Sequence, residues 1–120
     1  MSEDDVVSFI AGSISSVWAL ELLILLKRNA PNGRTENELI QELRSSTTAV
    51  SDALRQLHNA GLIVEEADAY HYRPVAIVLD RLATEVERLY AVKPSVVIKT
   101  IVRSKYQPLQ DFANSFKLKE

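Results

Sequence analysis

Between residues 47 and 59 the sequence spaces Thr47, Thr48, Ser51, Asp52, Arg55 and Asn59 among the apolar residues Val50, Ala53, Leu54 and Leu57. At about 100° per residue, Val50, Ala53, Leu54 and Leu57 fall on one face of a helix, and Thr48, Asp52, Arg55 and Asn59 on the opposite one. That polar face offers hydroxyls, a carboxylate, a guanidinium and an amide, a row of groups that both donate and accept hydrogen bonds. Its chemistry is recognition of an extended partner rather than bond making. The groups that bond making would need are scarce. His58 and His71 are the only imidazoles, and there is no Cys, which removes thiolate nucleophiles, disulfides and thiolate-held metals. No Ser-His-Asp arrangement or paired-acid motif stands out, and three glycines do not supply a phosphate-cradling loop. No enzyme activity and no cofactor is expected. His58 late on the helix and His71 on a later strand do not form an obvious metal pair, so they read as surface histidines and no metal is expected.

The elements that must hold this face in place are legible in the flanking sequence. Ser16 to Asn29 reads as a helix in which nine of the ten residues from Val17 to Leu26 are apolar, Glu21 being the exception. A helix with one buried face shows a polar stripe; this one shows almost none and must be covered on nearly every side. A shorter helix around Asp5 to Gly12 covers part of it. Either a partner subunit, or the chain's own C-terminal helices folded over Trp18 and Leu22, would cover the rest. Ala30-Pro31-Asn32-Gly33 turns the chain. Thr35 and Glu38 have capping-box spacing and open a second helix with Leu39, Ile40 and Leu43 as its buried stripe. Ser45 and Ser46 make a turn, Thr47 is the expected N-cap of a third helix, and Gly61 stands where a left-handed residue is wanted after it.

Leu62 to Glu65 and Tyr70 to Arg73 read as strands of a hairpin turning over Glu66 to Ala69, with room for a short strand at Arg34. Pro74 opens a long helix that carries Ile77 or Val78, Leu82, Val86 and Leu89 at helical spacing. Lys93-Pro94 breaks it. Another helix follows from about Ser95 to Lys105, with Val97, Ile98, Ile101 and Val102, and a last short one over Leu109 to Phe116. The expectation is a single domain over 1–120, mainly α with a small β-hairpin. Its reading head spans about 16–75 and its C-terminal helical extension, expected to dimerise, about 75–116.

At TTAVSDALRQLHNAGLIVEE the chain resembles winged helix-turn-helix transcriptional regulators of the ArsR and MarR type. Val50-Ser51, Leu54, Arg55, Leu57 and Ala60-Gly61-Leu62-Ile63 fill the pattern of their recognition helix and its passage into the wing. The likeness covers roughly Ser16 to Leu89, its specific part being 45–65. It implies a sequence-specific regulator that binds double-stranded DNA as a homodimer, with a recognition helix of about 48–59 in the major groove. Thr47, Thr48, Ser51, Asp52 and Arg55 would contact DNA, with Asn59 on the same face and Arg73 on the returning strand. Two departures stand out. Asp52 occupies a position where these families often place Arg, His or a neutral polar group. It can accept a hydrogen bond from a cytosine amine, orient Arg55, or stabilise the first turns through the helix dipole. In the wing, Glu65, Glu66 and Asp68 replace the usual basic residues.

Charge is distributed unevenly. Residues 1–33, 34–75 and 76–120 carry formal charges of −2, −3 and +3. An acidic reading head opposes tight non-specific DNA binding, since phosphate neutralisation supplies most of that affinity. Lys99, Arg103 and Lys105 are candidates for phosphate contact. The alternative reading is a winged-helix adaptor that binds a basic protein partner and no specific DNA sequence. Trp18, Tyr90, Tyr106, Phe112 and Phe116 either pack in core and interface or line an effector pocket. The apolar stretch Ile14 to Leu26, interrupted by Ser15, Ser16 and Glu21, is too short and too polar to span a bilayer, so no membrane association is expected. The acidic start MSEDDVVSFI is not that of a signal peptide, and the expected location is cytoplasmic.

Overall fold

The computed structural model describes residues 1–104. They form α1 (Glu3–Ser13), α2 (Val17–Asn29), α3 (Glu36–Leu43), α4 (Thr47–Asn59), β1 (Ile63–Glu66), β2 (Ala69–Tyr72) and α5 (Ile77–Val92), followed by α6 over 94–104. The chain is mainly helical with one two-stranded antiparallel sheet. The segment expected as a last helix, with Leu109, Phe112 and Phe116, lies outside the described residues, as do Lys105 and Tyr106.

Local signals set the helix starts. Ser2 and Asp5 form a capping box on α1, and Thr35 and Glu38 form the expected one on α3. In each, the carboxylate accepts the cap residue's backbone N–H, and the cap hydroxyl adds a second interaction. Together these hold Asp5 and Glu38 below the usual carboxylate range. Ser16 caps α2 by accepting from the Ala19 N–H. The cap of α4 is Ser46 rather than Thr47. Ser46 has the extended backbone that a cap requires, φ −92° and ψ 160°, and its Oγ accepts from the Ala49 N–H. Both residues bear a capping hydroxyl, so composition alone did not separate them, and Thr47 becomes the first helical residue with its side chain exposed.

The core is assembled around α2. Ala19, Leu20, Leu22, Leu23, Ile24 and Leu26 are all buried, and each leucine contributes about 1.5–3 kcal/mol on leaving water. α3, α4 and β2 pack against α2, and Leu39, Val50, Leu54, Leu57, Leu62 and Ile63 belong to the same cluster as Leu22 and Leu26. The chain bends by 110° between α1 and α2, and α1 adds Val6 and Ile10 while α6 adds Val97 and Ile101. A single chain thus covers most of the helix that the sequence left in need of cover. Val17 and Trp18, 38% and 40% exposed, are its remaining apolar surface. Trp18 is therefore no core residue in this chain.

α5 joins the cluster by part of the stripe its spacing suggested, Val86 being buried and Leu89 packed against the core, but not by the N-terminal end of that stripe. Ala83 and Val86 are buried and Leu79 and Tyr90 pack beside them, whereas Ile77 and Val78 are 76% and 53% exposed. The reason lies in how the helix begins. The Val75 N–H donates to the Gly61 carbonyl, which places Val75 and Leu79 against Gly61 and turns Ile77 and Val78 outward. Glu87 fixes the other end by accepting from Lys27 Nζ at 3.2 Å and Arg28 Nε at 2.7 Å. Burial pushes the Glu87 carboxyl up, but these two cations more than offset that and hold it below its ordinary value.

The hairpin pairs Ile63 with Tyr72, Val64 with His71, Glu65 with Tyr70 and Glu66 with Ala69. The expected short strand at Arg34 is a single β-bridge to Tyr70, with both backbone bonds formed at 3.0 and 2.8 Å. His71 lies over Gly33, where a Cβ would meet its ring at 2.5 Å, and its Nδ1 is 3.2 Å from the Pro31 carbonyl. The turn is tighter than the sequence suggested. Ala67 and Asp68 form it alone, both left-handed at φ 54° and 64°, the backbone of a two-residue type I′ turn. Aspartate tolerates that region, but alanine is strained there by about 1–2 kcal/mol. Ala67→Gly relieves the strain at the cost of a freer unfolded chain, so denaturant unfolding should show it more stable by about 0.5 kcal/mol. Ala67→Val should be destabilised, because a β-branched side chain is least tolerant of positive φ.

Candidate nucleic-acid interface

α3 and α4 are joined by three residues, Arg44 to Ser46. Arg44 takes a left-handed backbone, φ 52°, and its N–H donates to the carbonyls of Ile40 and Gln41, closing α3. The turn delivers the chain into α4 with Val50, Ala53, Leu54 and Leu57 buried. Thr47, Thr48, Ser51, Asp52, Arg55, His58 and Asn59 are exposed. The division into two faces read from the sequence therefore holds residue by residue, and the exposed side chains of α4 form one continuous polar ridge.

Two depressions flank that ridge. One, of about 520 Å³, lies between α4 and the end of α1 and is lined by Gly12, Ser13, Ser15, Asp52, Arg55 and Asn59 among others. The other, of about 280 Å³, lies between α4 and the hairpin and is lined by Ser51, Leu54, Arg55, His58, Glu65 and Tyr70. Arg55 borders both and so stands on the crest. Tyr70 has its phenol pushed up by burial and by the Glu65 carboxylate, so it remains a neutral hydrogen-bonding group in the lining of the second depression.

Arg55 and Arg73, the two arginines named for this face, are both held by acids of the same chain. Arg55 Nη2 donates to Asp52 Oδ1 at 2.5 Å, and Arg73 Nη1 donates to Glu66 Oε2 at 2.7 Å. The Arg73 guanidinium holds the Glu66 carboxyl below its usual range. Both pairs are well exposed, with side-chain accessibilities of 59% to 68%, so each contributes little to stability and opens readily. Glu65 and Asp68 form no ion pair among the described residues. The hairpin tip is therefore net acidic, and Arg73, just after β2, is turned across the hairpin toward Glu66 on β1.

Of the basic residues named on the C-terminal extension, Lys99 and Arg103 are exposed on α6. Arg103 lines a depression with Ala11 and Gly12, and Gly12 also borders the groove beside α4. Gly12, in the last turn of α1, thus borders both depressions. Among the described residues no cluster of His, Asp and Glu is arranged to hold a metal ion, and no single helix is long and apolar enough to cross a membrane.

One pair of residues that the sequence reading passed over sets the position of the ridge. The Ser15 N–H donates to Gln56 Oε1 at 2.8 Å, and Gln56 Nε2 donates to Ser15 Oγ at 2.5 Å. The two-bond clamp ties the third turn of α4 to the junction between α1 and α2. Nothing in the local pattern marks it, because the partners are 41 residues apart. Gln56→Ala should cost about 1 kcal/mol in denaturant unfolding, and Ser15→Ala, which keeps the backbone bond, should cost less; equal stability of Gln56→Ala and wild type would show the clamp to be energetically idle. Compared with protein-family models, curated proteins and solved structures, the chain matches none, and the functional reading rests on this geometry and on the sequence pattern that α4 carries.

Proposed function

We propose that the protein is a winged helix-turn-helix transcriptional regulator that binds double-stranded DNA in a sequence-specific way as a homodimer. The observation that carries this reading is the form of α4. It is buried on one side, presents an unbroken row of hydrogen-bonding side chains on the other, and stands between a short turn from α3 and a β-hairpin. A helix presented this way fits the major groove, which accepts one helix and displays donors and acceptors along base edges. Arg55, on the crest, is assigned a base or phosphate contact. Thr47, Thr48 and Ser51 hydrogen-bond phosphates or base edges at the N-terminal end, Asp52 and Asn59 lie on the same face, and Arg73 is assigned a phosphate contact that requires it to leave Glu66. Arg103 and Lys99 supply further positive charge beyond α1.

The dimer is proposed from the apolar surface left on the helices outside the reading head. Ile77, Val78, Val92, Ile98 and Val102 remain exposed. A two-fold dimer would read half-sites about one helical turn, ~34 Å, apart. Since Asp52, Glu65 and Asp68 oppose phosphate approach, binding rests on base contacts more than on bulk charge, and the dependence of affinity on salt should be shallow for an interface of this size.

A second reading is favoured by one observation, the internal pairing of Arg55 and Arg73 with acids. A face neutralised in this way, beside an acidic hairpin tip, suits a basic protein partner and describes an adaptor without DNA specificity. The two readings separate on wild type, which under the adaptor reading selects no DNA sequence, and Arg55→Ala, a surface change that leaves the core untouched, tests the contact itself. The DNA reading predicts that this variant loses about 1–3 kcal/mol of affinity for the preferred site when measured by fluorescence anisotropy. Wild-type affinity in the variant would remove Arg55 from the interface.

A further inference from the structure

We infer that Asp52 and Arg55 act together as the reader of a G·C base pair, with Asp52 serving as a specificity-determining residue rather than as a merely tolerated acid. The inference rests on the DNA-binding reading above. The two side chains leave adjacent turns of the exposed face and meet at 2.5 Å, and both remain open to solvent, 59% for Asp52 and 68% for Arg55. Only one guanidinium nitrogen is engaged by Asp52, so the remaining N–H groups of Arg55 are available. Asp52 likewise has a second carboxylate oxygen that no donor among the described residues engages.

The pair therefore presents a cationic donor fork beside an anionic acceptor. A G·C pair presents the complement in the major groove: N7 and O6 of guanine accept, and the N4 amine of cytosine donates. Arg55 can donate to both guanine acceptors while Asp52 accepts from the cytosine amine. At an A·T pair the fork loses one acceptor, because adenine carries a donor beside N7, and thymine places its O4 acceptor where cytosine has the amine, which leaves the Asp52 carboxylate facing an acceptor instead of a donor.

Charge explains why such a residue is useful here. An exposed ion pair opens at little cost, so Arg55 can leave Asp52, but the negative charge of Asp52 stays on the helix. A phosphate approaching the ridge meets that charge whatever the sequence. Only a base edge with a donor at the right place gives the carboxylate something to bind. Asp52 then lowers affinity for all DNA and returns part of it at the correct site, which widens the ratio between specific and non-specific binding.

The test compares wild type, Asp52→Ala and Asp52→Asn on random-sequence DNA and on variants of the site that wild type selects, each base pair exchanged in turn, with circular dichroism to verify folding. Both variants should bind random DNA several-fold more tightly than wild type. Asp52→Ala should lose about tenfold of the preference for G·C at one position, and Asp52→Asn, which keeps an acceptor oxygen, should lose less. An unchanged preference at every position in Asp52→Ala overturns the role of Asp52 while leaving the DNA-binding reading intact. Failure of wild type to select any sequence overturns the DNA-binding reading itself.

Discussion

The apolar circumference of α2 is the constraint on which the rest of the structure depends. A helix with six buried residues between Ala19 and Leu26 has no side on which it can meet water without loss, so the other elements are arranged as its cover. α3, α4 and β2 close one flank. α1 and α6 add Val6, Ile10, Val97 and Ile101, and α5 adds Ala83 and Val86. α4 is a product of the same demand: its apolar stripe is consumed by α2 and the hairpin, and what remains is the polar ridge. The candidate interface is the outer surface of an element whose inner surface the core requires.

Electrostatics then decide what the ridge can bind. Arg55 and Arg73 supply positive charge, yet each lies within hydrogen-bond distance of a carboxylate, and the hairpin tip adds Glu65 and Asp68. A surface arranged this way gains little from a uniform field of phosphates. It gains from a partner whose donors and acceptors alternate as its own do, as base edges do in the major groove. Self-neutralisation is therefore consistent with selective recognition.

Much of this was legible in the sequence because it is local and periodic. The faces of α4, the Thr35–Glu38 capping box and the left-handed Gly61 at φ 77° all follow from residue types at fixed spacings. What was not legible depended on choices between equivalent groups or on contacts distant in sequence. Ser46 and Thr47 are both able to cap, and backbone geometry selects Ser46. Ile77 and Val78 look like core because their spacing fits a helix, but the bond from Val75 to Gly61 rotates α5 and leaves them outside. Gln56 looks like any surface amide until the bend between α1 and α2 places Ser15 beside it. For the candidate site, helical spacing placed Thr48, Asp52, Arg55 and Asn59 on the ridge and the resemblance added Thr47 and Ser51, whereas the pairing of Arg73 with Glu66 required the hairpin register.

The most direct test of the account is selection of bound fragments from a random DNA pool by the full chain, at low and at physiological salt. The account predicts enrichment of a motif with two-fold-related halves about one helical turn apart, persisting at physiological salt. Absence of an enriched motif, or enrichment that disappears as salt is added, would contradict it and mark the ridge of α4 as a surface for a basic protein partner.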